Sequence, residues 1–516
     1  MIQRSFHKLS SVLALALVAG LLALSGCGGG SSSSGGGDAK FTGTAYPGVD
    51  LANTRHASGP IDSSNVAKLK VAWSTPIAGQ GSYGSQASPP VISKGVIYSQ
   101  DLASNVQAID LESGEVLWST SFEQPSHGPN GVVVADGEVF GATPTEAFAL
   151  DQETGEELWK VKLANNASEG IDMAPGYHEG LAYFSTVPVT ATTDYEAGGV
   201  GILWALDGKT GKKVWHFNTV PDDLWSKKTG LMNAGGGLWY QPSFDEKGFM
   251  YIGVGNPAPI PGTEKYPWGA SRPGPNLYTD SVVKLDAKTG KMKWFHQVTP
   301  HDLSDWDLQN PPILVDSGGK DMVIGSGKSG IVVALDQATG KVLWERPVGI
   351  HNGHDKDGLY AMHGELSKLK LPMMIYPGSL GGVVAPMSTN GKTLFIPIVN
   401  SPLVLASQSE KSEPGPYAGE IVALDVATGK VKWKNKLPSP AYGYTTAVND
   451  LVFATASEGS LFAFNADTGG EVWVSSLPAG TNTGVTIDGN MVVVPAGLPA
   501  AEGQVPQLVA YRLPGK

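Results

Sequence analysis

The stretch Ala334 to Trp344, reading A-L-D-Q-A-T-G-K-V-L-W, constrains the fold most, because the rest of the chain is largely further copies of it or insertions between copies. Seven copies are legible: Ala108 to Trp118, Ala149 to Trp159, Ala205 to Trp215, Lys284 to Trp294, Ala334 to Trp344, Ala423 to Trp433 and Ala463 to Trp473. In each, a Trp follows an Asp by eight residues, with Asn465 replacing the Asp in the last copy. Such self-similarity marks a repeat architecture. Apolar residues alternate around A-L-D, the Asp side chain can accept turn N–H bonds, and the Gly supplies positive φ, so the unit reads strand, tight turn, strand. The closest Asp-position spacings, 110 to 151 and 425 to 465, leave about 40 residues, which fits four short strands with their turns. That is one blade of a β-propeller.

The two chain ends supply the halves of one more copy. Val71-Ala72-Trp73 has a Trp with no A-L-D before it, and Ala510-Tyr511-Arg512 fits the A-L-D slot with no Trp after it. Pairing them predicts an all-β fold over residues 40 to 516, an eight-bladed β-propeller of four-stranded blades closed by the N- and C-terminal strands. Closure removes strand edges that would otherwise template aggregation. Eight of the 13 Trp are thereby assigned to packing between blades.

Residues 1 to 26 read as a lipoprotein signal peptide: Arg4 and Lys8, an apolar run from Val12 to Leu24, then Leu24-Ser25-Gly26-Cys27 at a lipobox spacing. The run is short for a membrane span. Cys27 is the expected lipidation site, and residues 27 to 39, rich in Gly and Ser, read as a flexible tether. The chain is therefore expected outside the cytoplasm, in the periplasm or at the cell surface, held to a membrane by its lipid. With Cys27 the sole cysteine, there is no Cys-x-x-Cys-His haem attachment site, so electrons released here must pass to another protein. A net charge of −12 without a basic stripe excludes a nucleic-acid surface.

Spacing between Asp positions widens to 79 residues from Asp207 to Asp286 and to 89 from Asp336 to Asp425. Long insertions on a rigid repeat are where function tends to sit. The first carries Gly235-Gly236-Gly237-Leu238-Trp239 and Gly253-Val254-Gly255-Asn256-Pro257-Ala258-Pro259, and beyond the fourth repeat comes Thr299-Pro300-His301-Asp302-Leu303-Ser304-Asp305-Trp306-Asp307. With the entry segment Leu51-Ala52-Asn53-Thr54-Arg55-His56, these motifs, in this order, resemble the quinoprotein alcohol and glucose dehydrogenases that use pyrroloquinoline quinone (PQQ). The resemblance covers essentially all of the chain after the tether.

The resemblance implies roles residue by residue. Trp239 would be the floor on which the quinone stacks, Asn256 and Glu196 the ligands of a Ca²⁺ ion, Lys328 a cation at the quinone oxygens, and Asp307 the catalytic base. Glu196 stands nine residues before Ala205, as the family's second calcium ligand does. The chemistry suits these residue types. A flat, anionic, electron-poor quinone wants an aromatic face and a cation, Ca²⁺ takes carboxylate and amide oxygens, and a carboxylate can accept the alcohol proton. Each residue also has a purely structural alternative: core aromatic, turn Asn, solvated loop Glu, surface Lys, turn-capping Asp.

Three further Trp, 225, 268 and 306, read as substrate-mouth residues or packing, with packing favoured for two. His351, His354, Asp355, Asp357, His363 and Glu365 invite a metal site, but their spacing fits no helix-borne motif and the surroundings read as loop. The chain departs from the family in lacking an adjacent cysteine pair, in having Val383-Val384 where an Asn-Trp pair covers the cofactor, and in having Val200 near an expected Arg. The function expected is a PQQ- and Ca²⁺-dependent dehydrogenase oxidising an alcohol or sugar and passing electrons to a cytochrome or quinone. The alternative is a non-catalytic propeller lipoprotein that scaffolds protein assembly, a role needing neither the Gly-Asn-Pro turn nor the Trp-Asp segment.

Overall fold

The computed structural model describes residues 44–126, 128–189, 199–225, 233–499 and 502–515. Cys27, the signal and tether segments, and Glu196 lie outside the described residues.

The repeat folds as its chemistry dictates. In the first copy the strands Val106–Asp110 and Val116–Thr120 form a hairpin, with Ala108 opposite Trp118 and a register shift at Ala108/Ile109. The turn is held by Asp110 Oδ1, which accepts the Ser113 N–H at 2.8 Å and the Ser113 hydroxyl at 2.7 Å, and by Gly114 at φ 77°. Later copies repeat this with Thr, as in Asp336 with Thr339 and Asp425 with Thr428. The hydroxyl and N–H bonds hold carboxyls such as those of Asp110 and Asp336 below their ordinary range.

Among the described residues, eight sheets of four or five strands follow one another, each built around one repeat; of two smaller sheets, one joins Glu169–Gly170 to Val187–Pro188 between the second and third repeats and the other lies in the second insertion. The repeat Trp explains the order. Its indole N–H donates to a carbonyl in the next repeat's turn: Trp118 to Gln152, Trp215 to Ala287, Trp344 to Val426 and Trp433 to Ala466, at 2.9–3.2 Å. Its ring lies against the next repeat's Gly, where a Cβ on Gly429 would come within 2.5 Å of Trp344. The eight Trp thus pack sheet on sheet, as the repeat predicts.

The two half-motifs meet. Lys70–Pro76 pairs antiparallel with Gln507–Arg512, Trp73 standing opposite Ala510, and the register shift falls at Val71/Trp73 as in the complete copies. Trp73 donates to Leu111 O in the following sheet at 3.0 Å, and Trp473 of the preceding sheet packs edge-on against Tyr511 at 5.6 Å between ring centroids. Two further N-terminal pieces reach distant sheets: Thr44–Ala45 pairs with Val133–Ala135, and His56–Ala57 with Thr446–Val448.

The insertions build a structure of their own. A three-stranded sheet of Met373–Ile375, Leu403–Leu405 and Lys411–Ser412 covers an apolar cluster that contains Trp268, Leu303, Trp306, Leu369 and Ile375. Trp225, Trp268 and Trp306 are all buried, at 0%, 6% and 4% exposure, and the last two pack in this cluster. In the second insertion His351 pairs with Asp355 at 2.7 Å and His354 with Asp357 at 2.8 Å, where the chain enters the short helix Asp357–Met362.

Candidate active site

Two chain segments are laced together by backbone bonds, and a third joins them through a side chain. The glycine-rich run lies beside the Gly-Asn-Pro turn through Gly236 N to Asn256 O at 2.8 Å, Gly255 N to Gly237 O at 2.8 Å and Ala258 N to Ala234 O at 3.1 Å. Glycine is required at this approach. A Cβ on Gly235 would stand 2.5 Å from Asn256 O, and one on Gly255 would stand 2.4 Å from Asp307 Oδ1. The third segment, His301 to Asp307, is wound around the buried Asp302 carboxylate, which accepts the N–H groups of Ser304 and Trp306 at 2.7 Å each. That winding turns Asp305, at φ 63°, and Asp307 toward Lys328.

The predicted residues among those described meet here. Asp307 Oδ1 accepts the backbone N–H of Asn256 at 2.8 Å, and Lys328 Nζ lies 2.7 Å from Asp307 Oδ2 as a close ion pair off the ideal hydrogen-bond line. Lys328 Nζ also lies over the Trp239 ring, 4.6 Å from its centroid, and 3.5 Å from Asp305 Oδ2. A flat anion entering over Trp239 therefore meets an aromatic face and an ammonium together. The Asn256 side-chain amide donates to Pro257 O at 2.8 Å, which orients its carbonyl oxygen.

Burial raises the Asp307 carboxyl, with Lys328 opposing and Asp305 adding to the rise. Burial also acts on Asp305, but there the ammonium groups of Lys328 and Lys411 outweigh it and the carboxyl is lowered. Desolvation of Lys328 is overcome by Asp305 and Asp307, so its ammonium is firmly charged.

Three acids and a base that the motifs did not single out surround this centre. Asp280, in left-handed backbone at φ 52°, is fully buried, and neither carboxylate oxygen has a hydrogen-bond partner among the described residues. Burial and the charges of Asp302 and Asp307 push it far up. Asp172 keeps a partly exposed edge, but its Oδ1 is buried without a partner, and burial with the Asp307 charge lifts it to about 7. Lys411 stands 3.6 Å from Asp305 and 3.8 Å from Glu413. These residues come from three separate stretches of the chain and carry no motif, so only the fold brings them together.

Uncompensated carboxyls around Asp307 and Asn256 are what a hard cation would neutralise, so the residues fit a Ca²⁺-like ion. Among the described residues no three His, Cys, Asp or Glu side chains close on a common point, and Glu196, the expected carboxylate ligand, is outside them. Within Val383-Val384, Val383 serves the frame. Val383 is fully buried, its N–H donates to Gly327 O at 3.0 Å, and its carbonyl accepts Asn310 Nδ2 at 2.8 Å.

A family model described as glucose/ethanol/alcohol dehydrogenase, beta-propeller domain, matches residues 45–132 and 188–351, and one described as outer membrane protein assembly factor BamB matches 102–247 and 380–512. The quinohemoprotein alcohol dehydrogenase of Comamonas testosteroni is 30% identical over 501 residues, spanning 84% of this chain and 69% of that relative. The chain belongs to the quinoprotein alcohol dehydrogenase family. It is an enzyme of the PQQ-dependent dehydrogenase class. The lanthanide-dependent methanol dehydrogenase of Methylorubrum extorquens is 28% identical, spanning 91% of this chain and 88% of the relative. The crystal structure of the Comamonas testosteroni quinohemoprotein superposes with a TM-score of 0.77 at 26% identity, covering 92% of this chain and 81% of that one. A BamB structure from Moraxella catarrhalis, at TM-score 0.53 and 14% identity over 87% of this chain and 98% of that one, shares the fold alone.

Proposed function

We propose that the protein oxidises an alcohol, or a sugar hydroxyl, with PQQ and a Ca²⁺ ion, and hands the electrons to an external cytochrome or quinone. The observation that carries this is the meeting of Asp307 with both Asn256 and Lys328, above Trp239, at the sites the family motifs mark. Asn256, with Glu196, would hold the cation, Trp239 the quinone face and Lys328 its oxygens. Bound PQQ would supply a two-electron acceptor, its carbonyl polarised by the cation. Asp307 takes the hydroxyl proton of the substrate, and the fixed Asn256 N–H keeps its Oδ1 in place for that. The reading of a cytochrome as acceptor is supported by lupanine 17-hydroxylase of Pseudomonas, a relative at 26% identity that is named with cytochrome c.

In the same reading the eight sheets are the blades of one closed ring over residues 40–516, supported by the pairing of Trp73 with Ala510 and by the Trp473–Tyr511 contact. Residues 1–26 are a signal peptide, Cys27 is lipidated, residues 27–39 are the tether, and the enzyme works outside the cytoplasm on a membrane. Among the described residues no helix is long and apolar enough to cross a membrane.

One observation favours a second division of labour between the acids. The Asp307 side chain is 1% exposed and bonded to Asn256, whereas that of Asp305 is 15% exposed with its carboxyl lowered. In that division Asp307 joins Asn256 on the cation and Asp305 takes the proton. Asp307→Asn and Asp305→Asn separate the two. The variant of the base keeps cation and quinone but loses about 10²–10⁴-fold in turnover, while the variant of the ligand loses cation retention first. Near-normal turnover in both variants would defeat the proposal.

A further inference from the structure

The proposed contact of Lys328 with the quinone leads outward to a feature no motif contains. From the buried centre toward solvent, charges alternate: Asp307, Lys328, Asp305, Lys411, Glu413. Successive gaps are 2.7, 3.5, 3.6 and 3.8 Å, and side-chain exposure rises along the row through 1%, 6%, 15%, 18% and 19%. Of the outer two members, Lys411 is in a strand of the insertion's small sheet and Glu413 follows directly after that strand. Lys411 lies opposite Leu405 there, and Glu413 is anchored by the Ser379 hydroxyl and by its own carbonyl, which accepts the Tyr417 hydroxyl at 3.0 Å.

Two carboxylates compete for the Lys328 ammonium, a compact point charge on a flexible stem. The pull of Asp305 depends on how far Lys411 neutralises it, and Glu413 draws Lys411 the other way. At these exposures the charges are only partly screened, so each step is felt by the next. We propose that Lys411 and Glu413 are positioning residues for Lys328, setting through Asp305 how much of its ammonium a bound anionic cofactor claims. Loss of Lys411 leaves Asp305 gripping Lys328 more firmly. Loss of the Glu413 charge gives Lys411 wholly to Asp305 and loosens that grip. The two changes act in opposite directions, which a merely structural role would not produce.

The test uses purified, cofactor-free protein titrated with PQQ in the presence of Ca²⁺, followed by quenching of tryptophan fluorescence. Lys411→Met is expected to weaken the quinone constant about tenfold, a size between those of exposed and buried ion pairs, with Lys411→Arg restoring most of it. Glu413→Gln is expected to tighten it by roughly two- to threefold on the same scale. Equal constants, or both variants moving the same way, would overturn the proposal. No quenching in the unaltered protein would overturn the cofactor reading and the proposal's link to it. A second arm needs no cofactor. In urea unfolding, the midpoint shift caused by Lys411→Met should shrink in an Asp305→Asn background, and an undiminished shift would overturn the row of coupled charges itself.

Discussion

Asp172 places a carboxylate where it costs stability. Its ordinary value of 3.8 is lifted to about 7 by burial and by Asp307. Because the folded value lies above the unfolded one, the folded state holds the proton more tightly, and stability falls as pH rises toward and through about 7. Asp172→Asn should therefore stabilise the cofactor-free protein at pH 8 by up to about 4 kcal/mol, less as the residue's exposed edge admits solvent, and hardly at all at pH 4. Urea unfolding at the two pH values checks this; an effect independent of pH would contradict it. Gly255→Ala tests the opposite feature, a close approach that must stay empty. Its Cβ would stand 2.4 Å from Asp307 Oδ1 and 3.0 Å from Gly237 O, displacing the carboxylate from the Asn256 N–H. Turnover should fall by about 10² or more with little change in fold, read by initial rates beside a melting curve. Trp239, Asn256, Asp307 and Lys328 were legible because each sits inside a local motif. Asp172, Asp280, Lys411 and Glu413 were not, since no local pattern distinguishes them from solvated loop charges.

At the scale of elements, the repeat was legible because each of its residues has one local job and one job toward the next sheet. Asp336 and Gly340 make their own turn, whereas Trp344 reaches Val426 O at 2.9 Å and lies on Gly429. Trp344→Ala removes an inter-sheet bond and a large, partly buried ring, and should destabilise by about 2–4 kcal/mol, measured by urea unfolding. A change below ~0.5 kcal/mol would mean the repeat Trp does not bind sheet to sheet. The small sheet of the second insertion was hidden for a different reason. Its strands, two and three residues long, are too short for alternation to show, and their partners lie about 30 residues apart at Met373–Ile375 and Leu403–Leu405. Its position was set by packing on Trp268 and Trp306, which no periodicity announces.

For the whole molecule, joining the chain ends was legible because the half-motifs at Trp73 and Ala510 complete one another, and the structure pairs them. Deleting residues 510–516 removes much of the strand on which Lys70–Pro76 lies and should lower the melting temperature of the entire molecule in one transition. An unchanged melting curve would show that the ends do not hold the sheets together. The claim that the chain is a quinone-dependent dehydrogenase is tested most directly by reconstitution. PQQ and Ca²⁺ are added to the purified protein, and reduction of an artificial electron-accepting dye is followed with a panel of alcohols and aldoses. The account predicts a stoichiometric visible absorbance on binding, and dye reduction that needs quinone, cation and substrate together and is lost when both Asp305 and Asp307 are replaced by Asn. Dye reduction that survives this double replacement, or no quinone binding at all, would contradict it.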